Sequence, residues 1–342
     1  MNNMDWTISS ILNHFDSRLD GVMRRGVDQL LPGSDTSSML EHLLRQKGKR
    51  LRPALVLGAH LAYGGDGAAA LPLAATVELI HNASLIHDDI EDMDEFRRDE
   101  PAAWKRFGVR QALNLGDLLL PCAFLLFLEG PQEPAVRIRV ISRISRELMR
   151  LAEGQMLEIA GVNREPAGWL EYENVCAGKT GALFRICLVC GAELMESLPD
   201  GVPTAASLPL REELGTLLGL VFQGRDDLID ILGRKEGRFA LGDLLEGKLS
   251  LLTVLAADRL TGAARREFFD MHRTARPVKD IPMAGRMREI LFSQGIVELA
   301  AEVHARNVER LALRLRDLKA PILVYLLEDL LRRLAIEPDS EK

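Results

Sequence analysis

The sequence predicts an all-α protein built as one large helical bundle. Apolar residues recur every three or four positions, as in Ile11, Phe15 and Leu19 near the start and Leu323 and Leu327 near the end. This is the spacing of one face of an α-helix. Leu, Ala, Glu and Arg, which favour helices, fill most segments. Clear strand-like alternation is absent from the sequence, so we do not expect a large sheet.

Turn-forming residues divide the chain into successive helical segments. Their spacing predicts helices of roughly 15–25 residues. No linker is long or polar enough to mark a domain boundary, so we expect residues 1–342 to form a single domain. The expected interruptions are Gly64-Gly65, Gly130-Pro131, Glu165-Pro166, Leu198 to Pro203, Gly233 to Gly247, and Arg276 to Pro282.

Composition excludes several classes of protein. With 47% apolar and 27% charged residues, the chain has the balance of a folded protein. Its net charge is −7, whereas a protein that grips the nucleic-acid backbone needs a basic excess. Aromatic residues make up only 5%, which disfavours base-stacking platforms. We therefore expect no nucleic-acid partner.

Cysteine usage and the apolar runs predict a cytoplasmic protein. The four cysteines are too few for a disulfide scaffold. Cys187 and Cys190 form a single CxxC in an apolar run, which indicates packed thiols and leaves a redox or metal pair as the alternative. The N-terminus does not have the pattern of a signal peptide. The longest apolar run, Leu118 to Leu128, is too short to span a bilayer, so no membrane span is expected.

Two acidic segments carry the chemistry. Each has the spacing DDxxD, and on a helix its first and last aspartates share a face. Apolar residues flank both segments, so the like charges would repel at the edge of a core unless a cation neutralised them. Mg²⁺ prefers such oxygen ligands and binds phosphate oxygens as well. The six carboxylates are Asp88, Asp89 and Asp92, then Asp226, Asp227 and Asp230.

Basic residues near these segments predict a polyphosphate ligand. Metal-binding carboxylates together with Arg and Lys are how proteins hold such groups. The alternative interpretation is that the acidic and basic groups are solvated surface charges. An EF-hand calcium loop is disfavoured because its glycine and final glutamate are missing. The basic residues are Lys49, Arg50 and Arg52, the pair Arg97-Arg98, Lys179 in the stretch Lys179-Thr180 between Gly178 and Gly181, and Lys248.

Taken in order, the motifs resemble those of the trans-isoprenyl diphosphate synthases, the polyprenyl synthetase family, and most of all a geranylgeranyl diphosphate synthase. The similarity runs from Gly48 to the C-terminal helices. One DDxxD is weak evidence, whereas the ordered set is specific. The motifs are GKRLRP, ELIHNASLIHDDIEDMDEFRR, GVRQALNLGDLLL, GQMLEIA, KTGALF, FQGRDDLID and GDLLEGKLS.

This resemblance implies the class I isoprenoid synthase fold, with helices around a central cavity, and a homodimer. It also implies a Mg²⁺-dependent transfer reaction. An allylic diphosphate ionises to an allylic cation, the double bond of isopentenyl diphosphate attacks, and a proton is lost. The metal stabilises the leaving pyrophosphate, and an apolar cavity protects the cation from water.

The resemblance also implies roles for particular residues. The metal ligands would be Asp88, Asp92 and Asp226, with Asp89, Asp227 and Asp230 binding directly or through water. The groups that hold the allylic diphosphate would be Arg97, Lys179 and Lys248, with Arg238 in a lid. Those that hold the diphosphate of isopentenyl diphosphate would be Lys49, Arg52, His81 and Arg98. Gln223 would contact the diphosphate region, and Thr180 would shape the cation pocket.

The chain departs from the family pattern in places that bear on lid geometry and rate. Acidic, aromatic or basic residues replace the usual ones, but every aspartate of both motifs is retained, so activity is expected. The departures are Lys47 for Gly, Asp99 for Gly, Trp104 for His, Glu158 for Asp, Arg238 for Lys, Ser250 for Thr and Leu252 for Pro.

Small residues before the first motif predict a long product. In the family, the residues four and five before the first aspartate gate the pocket, and here they are Ser84 and Ala83. A product tail would run past Ile80 and Val77, which favours C20 geranylgeranyl diphosphate or a longer chain over C15. We take Phe124 and Phe127 as a hypothetical pocket floor.

Two other functions remain possible from the sequence. A class I terpene cyclase would share the bundle and the first motif, but it normally has an Asn/Ser/Glu second motif and does not need Lys49, Arg52 or His81. A regulatory subunit of a prenyl synthase typically loses aspartates from one motif, and this chain has not.

Overall fold

The computed structural model describes residues 7–30, 36–197, 207–233 and 241–336. These residues are mostly helical and form almost no sheet, which confirms the all-α prediction. The helices are α1 (Ile8–Leu30), α2 (Thr36–Arg45), α3 (Leu51–Ala62), α4 (Leu71–Glu91), α5 (Ala103–Phe107), α6 (Val109–Leu128), α7 (Pro134–Gly161), α8 (Trp169–Val175), α9 (Gly181–Glu193), α10 (Leu208–Ile231), α11 (Gly242–Glu246), α12 (Leu251–Arg259), α13 (Gly262–His272), α14 (Ile281–Ser293), α15 (Ile296–Leu315) and α16 (Pro321–Leu334).

Several short elements depart from the expected run of long helices. A two-stranded antiparallel hairpin, β1 (Phe96–Arg97) and β2 (Glu100–Pro101), follows α4. A π-helical turn, Cys176–Thr180, joins α8 to α9, and a 3₁₀ turn, Leu194–Ser197, follows α9. Periodicity did not predict them because elements this short carry too few apolar repeats to be recognised.

Most of the expected interruptions lie between helices, with two informative differences. The segment from Gly233 to Gly247 contains the short helix α11. Pro282 does not end a helix but lies in the first turn of α14, where its missing N–H would have no partner in any case. The segment from Leu198 to Pro203 lies outside the described residues.

The chain forms two compact units, each with its own core. Unit 1 comprises Met1–Glu147, Leu183–Gly215 and Leu315–Leu330, and unit 2 comprises Leu148–Ala182, Thr216–Arg314 and Leu331–Lys342. Each unit is therefore assembled from separate stretches of the chain.

In unit 1, helices α4 and α6 pack against each other in antiparallel directions. Gly116, near the start of α6, lies against the ring of His87 near the end of α4. Further along α6, the carbonyl of Ala123 accepts a hydrogen bond of 2.9 Å from the hydroxyl of Thr76, near the start of α4. This pairing places the C-terminal half of α6 beside the N-terminal half of α4.

In unit 2, α8 and α10 to α15 enclose a core of aliphatic and aromatic side chains. Tyr172, Phe268 and Phe269 are each at most 1% exposed. The rings of Phe268 and Phe269 pack edge to face, with their centroids 5.1 Å apart. This core supports the helix that carries the second aspartate segment.

Two long apolar helices and the buried Cys187 bear on the membrane and cysteine predictions. Two helical stretches, Val109–Leu128 and Trp169–Glu193, are long and apolar enough to cross a membrane by length and composition, so the apolar run starting at Leu118 belongs to a longer helix than expected. In the second stretch 83% of the apolar window is buried, as in a core helix, whereas in the first only 39% is. Burial raises the pKa of Cys187 to about 12, which agrees with a packed thiol.

Candidate active site

The first aspartate segment ends α4, and its three carboxylates have different surroundings. Asp88 and Asp92 are half-buried and lie four residues apart, so they share one face of the helix. Asp89 is 3% exposed and accepts a hydrogen bond of 2.8 Å from Nε of Arg97, with a second contact from the same guanidinium. A buried carboxylate needs such a partner. The segment therefore has two carboxylates on one face and one in an ion pair.

The hairpin after α4 brings Arg97 back to that ion pair. Arg98 and Asp99 both have left-handed backbones, with φ of 54° and 64°. This conformation explains why the family usually has glycine at the position of Asp99, and aspartate is among the residues that tolerate it. The indole N–H of Trp104 donates a 2.7 Å hydrogen bond to the carbonyl of Asp94, which holds the loop between α4 and β1.

The basic motif before α3 divides into two groups. Lys47 and Arg50 form ion pairs with Asp16 and Asp20 on α1. Arg50 is buried and lowers the pKa of Asp20 together with Lys47. These two cations therefore hold α1 to the start of α3. Lys49 is exposed.

The second group surrounds His81 in unit 1. The guanidinium of Arg52 donates to Nε2 of His81 at 3.0 Å, so the ring proton lies on Nδ1. Burial, with Arg52, Arg98 and Arg97 nearby, lowers the pKa of His81 well below its usual value. His81 is therefore neutral, and its Nδ1 has no hydrogen-bond partner among the described residues. A donor in this position, between arginines, suits an anionic ligand.

Arg98 completes this cluster from the hairpin. Its guanidinium donates to the carbonyl of Gln46 and lies against Gly48, where a side chain would collide with it. Glu78, which is 4% exposed, lies among the same arginines, and burial raises its pKa. The structure thus brings together Arg52, His81 and Arg98, as expected for one anion site.

In unit 2, the second aspartate segment lies on α10. Asp226 is half-buried, while Asp227 and Asp230 are each 2% exposed. Asp227 accepts hydrogen bonds from the Tyr172 hydroxyl (3.0 Å), the Leu251 backbone N–H (2.7 Å) and the Gln223 amide (2.9 Å). Burial and the nearby charge of Asp243 raise the pKa of Asp227 to about 8.

Asp230 also has a structural partner. Its carboxylate accepts a 3.1 Å hydrogen bond from the backbone N–H of Asp243, at the start of α11. Asp227 and Asp230 thus connect α10 to the segments that follow it. Of the three carboxylates, Asp226 is the more accessible one.

Lys179 and Thr180 lie in the π-helical turn. Lys179 is paired with Glu158, which occupies the usual aspartate position of the family. The Thr180 hydroxyl donates to the Gln223 side-chain oxygen at 3.1 Å, and this links the turn to Asp227. π-Helical turns often occur at functional sites.

The glycines around this turn allow the backbones to touch. A side chain at Gly154 of α7 would collide with the backbone at Gly178 and Lys179. Sequence reasoning noted Gly178 only as one of the glycines that flank Lys179-Thr180. In the structure it provides close packing between α7 and the turn.

Lys248 follows α11 and is held at its C-terminal end. Its Nζ pairs with Glu246 at 2.8 Å, and its backbone N–H donates to the carbonyl of Asp243 at 2.9 Å. Ser250 and Thr253 then form a capping box at the start of α12. Ser250 therefore fulfils the capping role of the usual threonine, and Leu252 is buried in the first turn, where the family's proline would fit. Arg238 lies outside the described residues.

The donor set fits a hard divalent ion. Among the described residues, no group of three or more His, Cys, Asp or Glu side chains could hold a metal alone. The accessible donors are the pair Asp88 and Asp92 at the end of α4 and, separately, the single carboxylate Asp226 on α10. Mg²⁺ commonly uses one or two carboxylates and takes its other ligands from water and substrate phosphates. These residues fit an ion that binds together with a diphosphate.

Sequence reasoning did not single out Tyr172, although it lies two helical turns before Lys179. It also assigned no role to Glu78 or to Trp104 as a hydrogen-bond donor. The only sequence signal for Tyr172 was its spacing of seven residues from Lys179. Its hydrogen-bond partner, Asp227, lies 55 residues further along the chain. Such long-range pairing cannot be deduced from periodicity.

Comparison with known proteins identifies the family. The polyprenyl synthetase family model matches residues 34–284. The chain is 30% identical over 314 residues to the short chain isoprenyl diphosphate synthase of Methanothermobacter thermautotrophicus, covering 91% of this chain and 93% of that protein. It is 37% identical over 266 residues to the (2E,6E)-farnesyl diphosphate synthase of Mycobacterium tuberculosis, covering 76% and 70%.

Solved structures agree with this result. A polyprenyl synthase from Caulobacter crescentus, complexed with calcium and isoprenyl diphosphate, has a TM-score of 0.82 and 26% identity, covering 99% of this chain and 100% of that chain. A geranylgeranyl pyrophosphate synthetase from Pyrococcus horikoshii has a TM-score of 0.79 and 27% identity, covering 95% and 99%.

The fold and the two aspartate segments define a class I isoprenoid synthase. More specifically, the chain belongs to the polyprenyl synthetase family, the trans-prenyltransferases that include the isoprenyl diphosphate synthases. This confirms the resemblance on which the sequence analysis relied.

Proposed function

We propose that this chain is a Mg²⁺-dependent trans-prenyltransferase that condenses isopentenyl diphosphate with an allylic diphosphate to give geranylgeranyl diphosphate (C20) or a longer product. The arrangement of α4 carries the proposal. Asp88 and Asp92 share a half-buried face at one end of the helix, and the small residues Ala83 and Ser84 lie about one turn further in. A diphosphate at the aspartates would direct its hydrocarbon tail along this helix.

The chain's own residues would divide the work between the two diphosphates. Arg97, Lys179 and Lys248 would bind the allylic diphosphate and stabilise the charge that develops on it as it leaves. When bound, Mg²⁺ would act as a Lewis acid on the same oxygens. The ligands we propose are Asp88, Asp92 and Asp226, with Asp89, Asp227 and Asp230, which have protein partners, acting through water.

The cluster around His81 would bind the second substrate. Arg52 and Arg98 would neutralise the diphosphate of isopentenyl diphosphate, and the neutral His81 would donate from Nδ1 without adding charge. Lys49, which is exposed, would reach the same group from the surface. Keeping His81 neutral matters because a third buried cation here would be costly in the absence of substrate.

Product length would be set along the paired helices α4 and α6. From Asp88 to Thr76, α4 rises by roughly 18 Å. Thr76 is hydrogen-bonded to Ala123, and Phe127, which is fully buried, lies one turn further along α6. Phe127 is therefore our proposed pocket floor. Phe124 is half-exposed, so it would contribute less.

The activity is tested by incubating the purified chain with isopentenyl diphosphate and allylic primers of different lengths, with Mg²⁺ or with excess EDTA. Extension of a primer only when both substrates and the metal are present supports the proposal, and the longest main product gives the chain length. Hydrocarbon release from the primer alone would support a terpene cyclase. An inert chain would support a regulatory subunit.

Two aspartate variants sharpen this test. Asp88→Ala and Asp226→Ala should each lower kcat by roughly 100- to 1,000-fold. Asp258→Ala serves as a matched control because Asp258 is exposed and pairs only with the neighbouring Arg259 among the ion pairs of the described residues. Full turnover by either active-site variant would contradict the proposal.

A homodimer through α6 is part of the proposal. Val109, Leu113 and Leu125 on this helix are 48%, 47% and 44% exposed. Exposed apolar side chains on one helix commonly mark an interface, and the resemblance implies a second copy as the partner. Light scattering should give twice the chain mass, and Leu113→Glu with Leu125→Glu should give single chains. A wild-type protein that is monomeric at micromolar concentration would refute this part.

The proposal has three further parts. We propose that residues 1–342 act as a single functional domain although they form two compact units. We propose a cytoplasmic location. We also propose that Arg238 contributes to a lid over the allylic diphosphate, which Arg238→Ala would test through a higher KM for the primer.

A further inference from the structure

Lys279 is a buried lysine that has no part in the function described so far. It lies between α13 and α14, and its side chain is 2% exposed. Among the described residues no carboxylate forms an ion pair with it, and burial, together with the charge of Arg276, lowers its pKa to about 8. A buried ammonium without a counter-charge is costly, so packing alone does not explain a lysine at this position.

The ammonium group joins two separate segments. Its Nζ donates to the side-chain oxygen of Asn163 at 2.9 Å and to the carbonyl of His272 at 2.8 Å. His272 in turn donates from Nε2 to the carbonyl of Arg164 at 3.1 Å. The turn after α7 is therefore fixed to the end of α13 by two buried side chains.

This turn holds the residue before Lys248. The backbone N–H of Asn163 donates to the carbonyl of Gly247 at 2.8 Å. Gly247 has a left-handed backbone, with φ of 72°, and a Cβ placed there would lie 2.8 Å from Nζ of Lys279 and closer still to the Asn163 side chain. The Lys279 ammonium and Asn163 thus enclose Gly247.

We infer that Lys279 is a positioning residue for the diphosphate-binding Lys248. Lys279 fixes Asn163, Asn163 fixes Gly247, and Gly247 sets the direction in which the chain enters Lys248. This inference rests on the proposed role of Lys248 in holding the allylic diphosphate. Two linked hydrogen bonds connect Lys279 to the residue before Lys248, so it acts through geometry and not by contact with substrate.

The test is Lys279→Met, which keeps most of the aliphatic stem and removes the donors. We expect the KM for the allylic diphosphate to rise by roughly tenfold because a small misplacement of a binding group is costly. The KM for isopentenyl diphosphate should stay unchanged. Lys105→Met, at an exposed ion pair with Glu95, controls for the loss of a lysine, and Leu311→Ala, in a buried position of unit 2, controls for general destabilisation.

A second variant covers the case in which Lys279→Met does not fold. Asn163→Gly removes the acceptor of the Lys279 hydrogen bond and suits the left-handed backbone there, with φ of 55°. It should produce the same selective rise in the KM for the allylic diphosphate. An equal rise in both KM values, or none, in the folded variants would overturn the inference.

A double variant separates this inference from the proposed function. In a Lys248→Ala background, Lys279→Met should raise the KM for the allylic diphosphate no further, because the residue it positions is gone. Additive effects would show that Lys279 does not act through Lys248. If Lys248→Ala alone leaves that KM unchanged, the proposed role of Lys248 fails and the inference fails with it.

Discussion

The carboxylate of Asp227 accepts a 2.7 Å hydrogen bond from the backbone N–H of Leu251, 24 residues further along the chain. Leu251 begins α12, so the Asp227 side chain satisfies one of the free N–H groups at a helix N-terminus. Tyr172 and Gln223 donate to the same carboxylate. The second aspartate segment on α10 is therefore braced by two other helices, α8 and α12.

The first prediction concerns this brace. Tyr172→Phe leaves a buried carboxylate with one donor fewer, so the free energy of unfolding should fall by about 1–3 kcal/mol. Urea titration measures this change. Tyr325→Phe is the matched control because Tyr325 is 58% exposed, and it should change stability by less than about 0.5 kcal/mol. Equal effects from both tyrosines would mean that the brace does not matter.

The second prediction separates two neighbouring arginines. Arg50→Met should lower the free energy of unfolding by about 2–3 kcal/mol, because it removes the buried partner of two carboxylates on α1 and leaves them only the exposed Lys47. Arg52→Met should leave stability nearly unchanged and raise the KM for isopentenyl diphosphate by about 10- to 100-fold. Steady-state kinetics and urea titration on both variants check this. The opposite assignment of effects would show that Arg52 is the structural residue.

The third prediction concerns product length. Phe127→Ala opens space at the buried end of α6, so the main product should become longer. Phe124→Ala, at a half-exposed position, should change product length less. Chromatography of dephosphorylated products measures both. If truncating both phenylalanines leaves the product unchanged, the pocket floor lies elsewhere.

The fourth prediction concerns acid. Burial, and the nearby charge of Lys279, lower the pKa of His272 from 6.5 to about 4. An unfolded chain therefore binds a proton here between those pH values while the folded chain does not, and the free energy of unfolding decreases as the pH falls. From this residue the loss at pH 5 should be about 2 kcal/mol.

His272→Gln tests the acid prediction, because glutamine keeps an N–H donor and has no titratable group. The difference in unfolding free energy between wild type and variant should shift in favour of the variant from pH 7 to pH 5. A difference that does not vary with pH would show that His272 titrates normally.

Sequence reasoning predicted the parts of this protein that depend on local pattern. Helical periodicity predicted the all-α fold, and the DDxxD spacing correctly placed Asp88 and Asp92 on one face of a helix. The ordered motifs identified the family. Each of these depends on residues within a few turns of one another, which a linear pattern can encode.

The contacts that give neighbouring residues different surroundings could not be predicted in this way. The pairing of Asp89 with Arg97 depends on a hairpin whose turn has two left-handed residues. The separate partners of Arg50 and Arg52 depend on where α1 and α4 pack. Lys279 lies in a segment that the sequence showed only as an interruption between helices, and its partners come from two other parts of the chain.

The contact between Gly154 and Gly178 limits how this enzyme can be redesigned. Because no side chain separates the two backbones, even a methyl group on either would wedge them apart and displace the adjacent ammonium of Lys179. Chimaeras assembled from related enzymes should therefore inherit both stretches from the same parent. Libraries aimed at new substrates should leave these two glycines untouched.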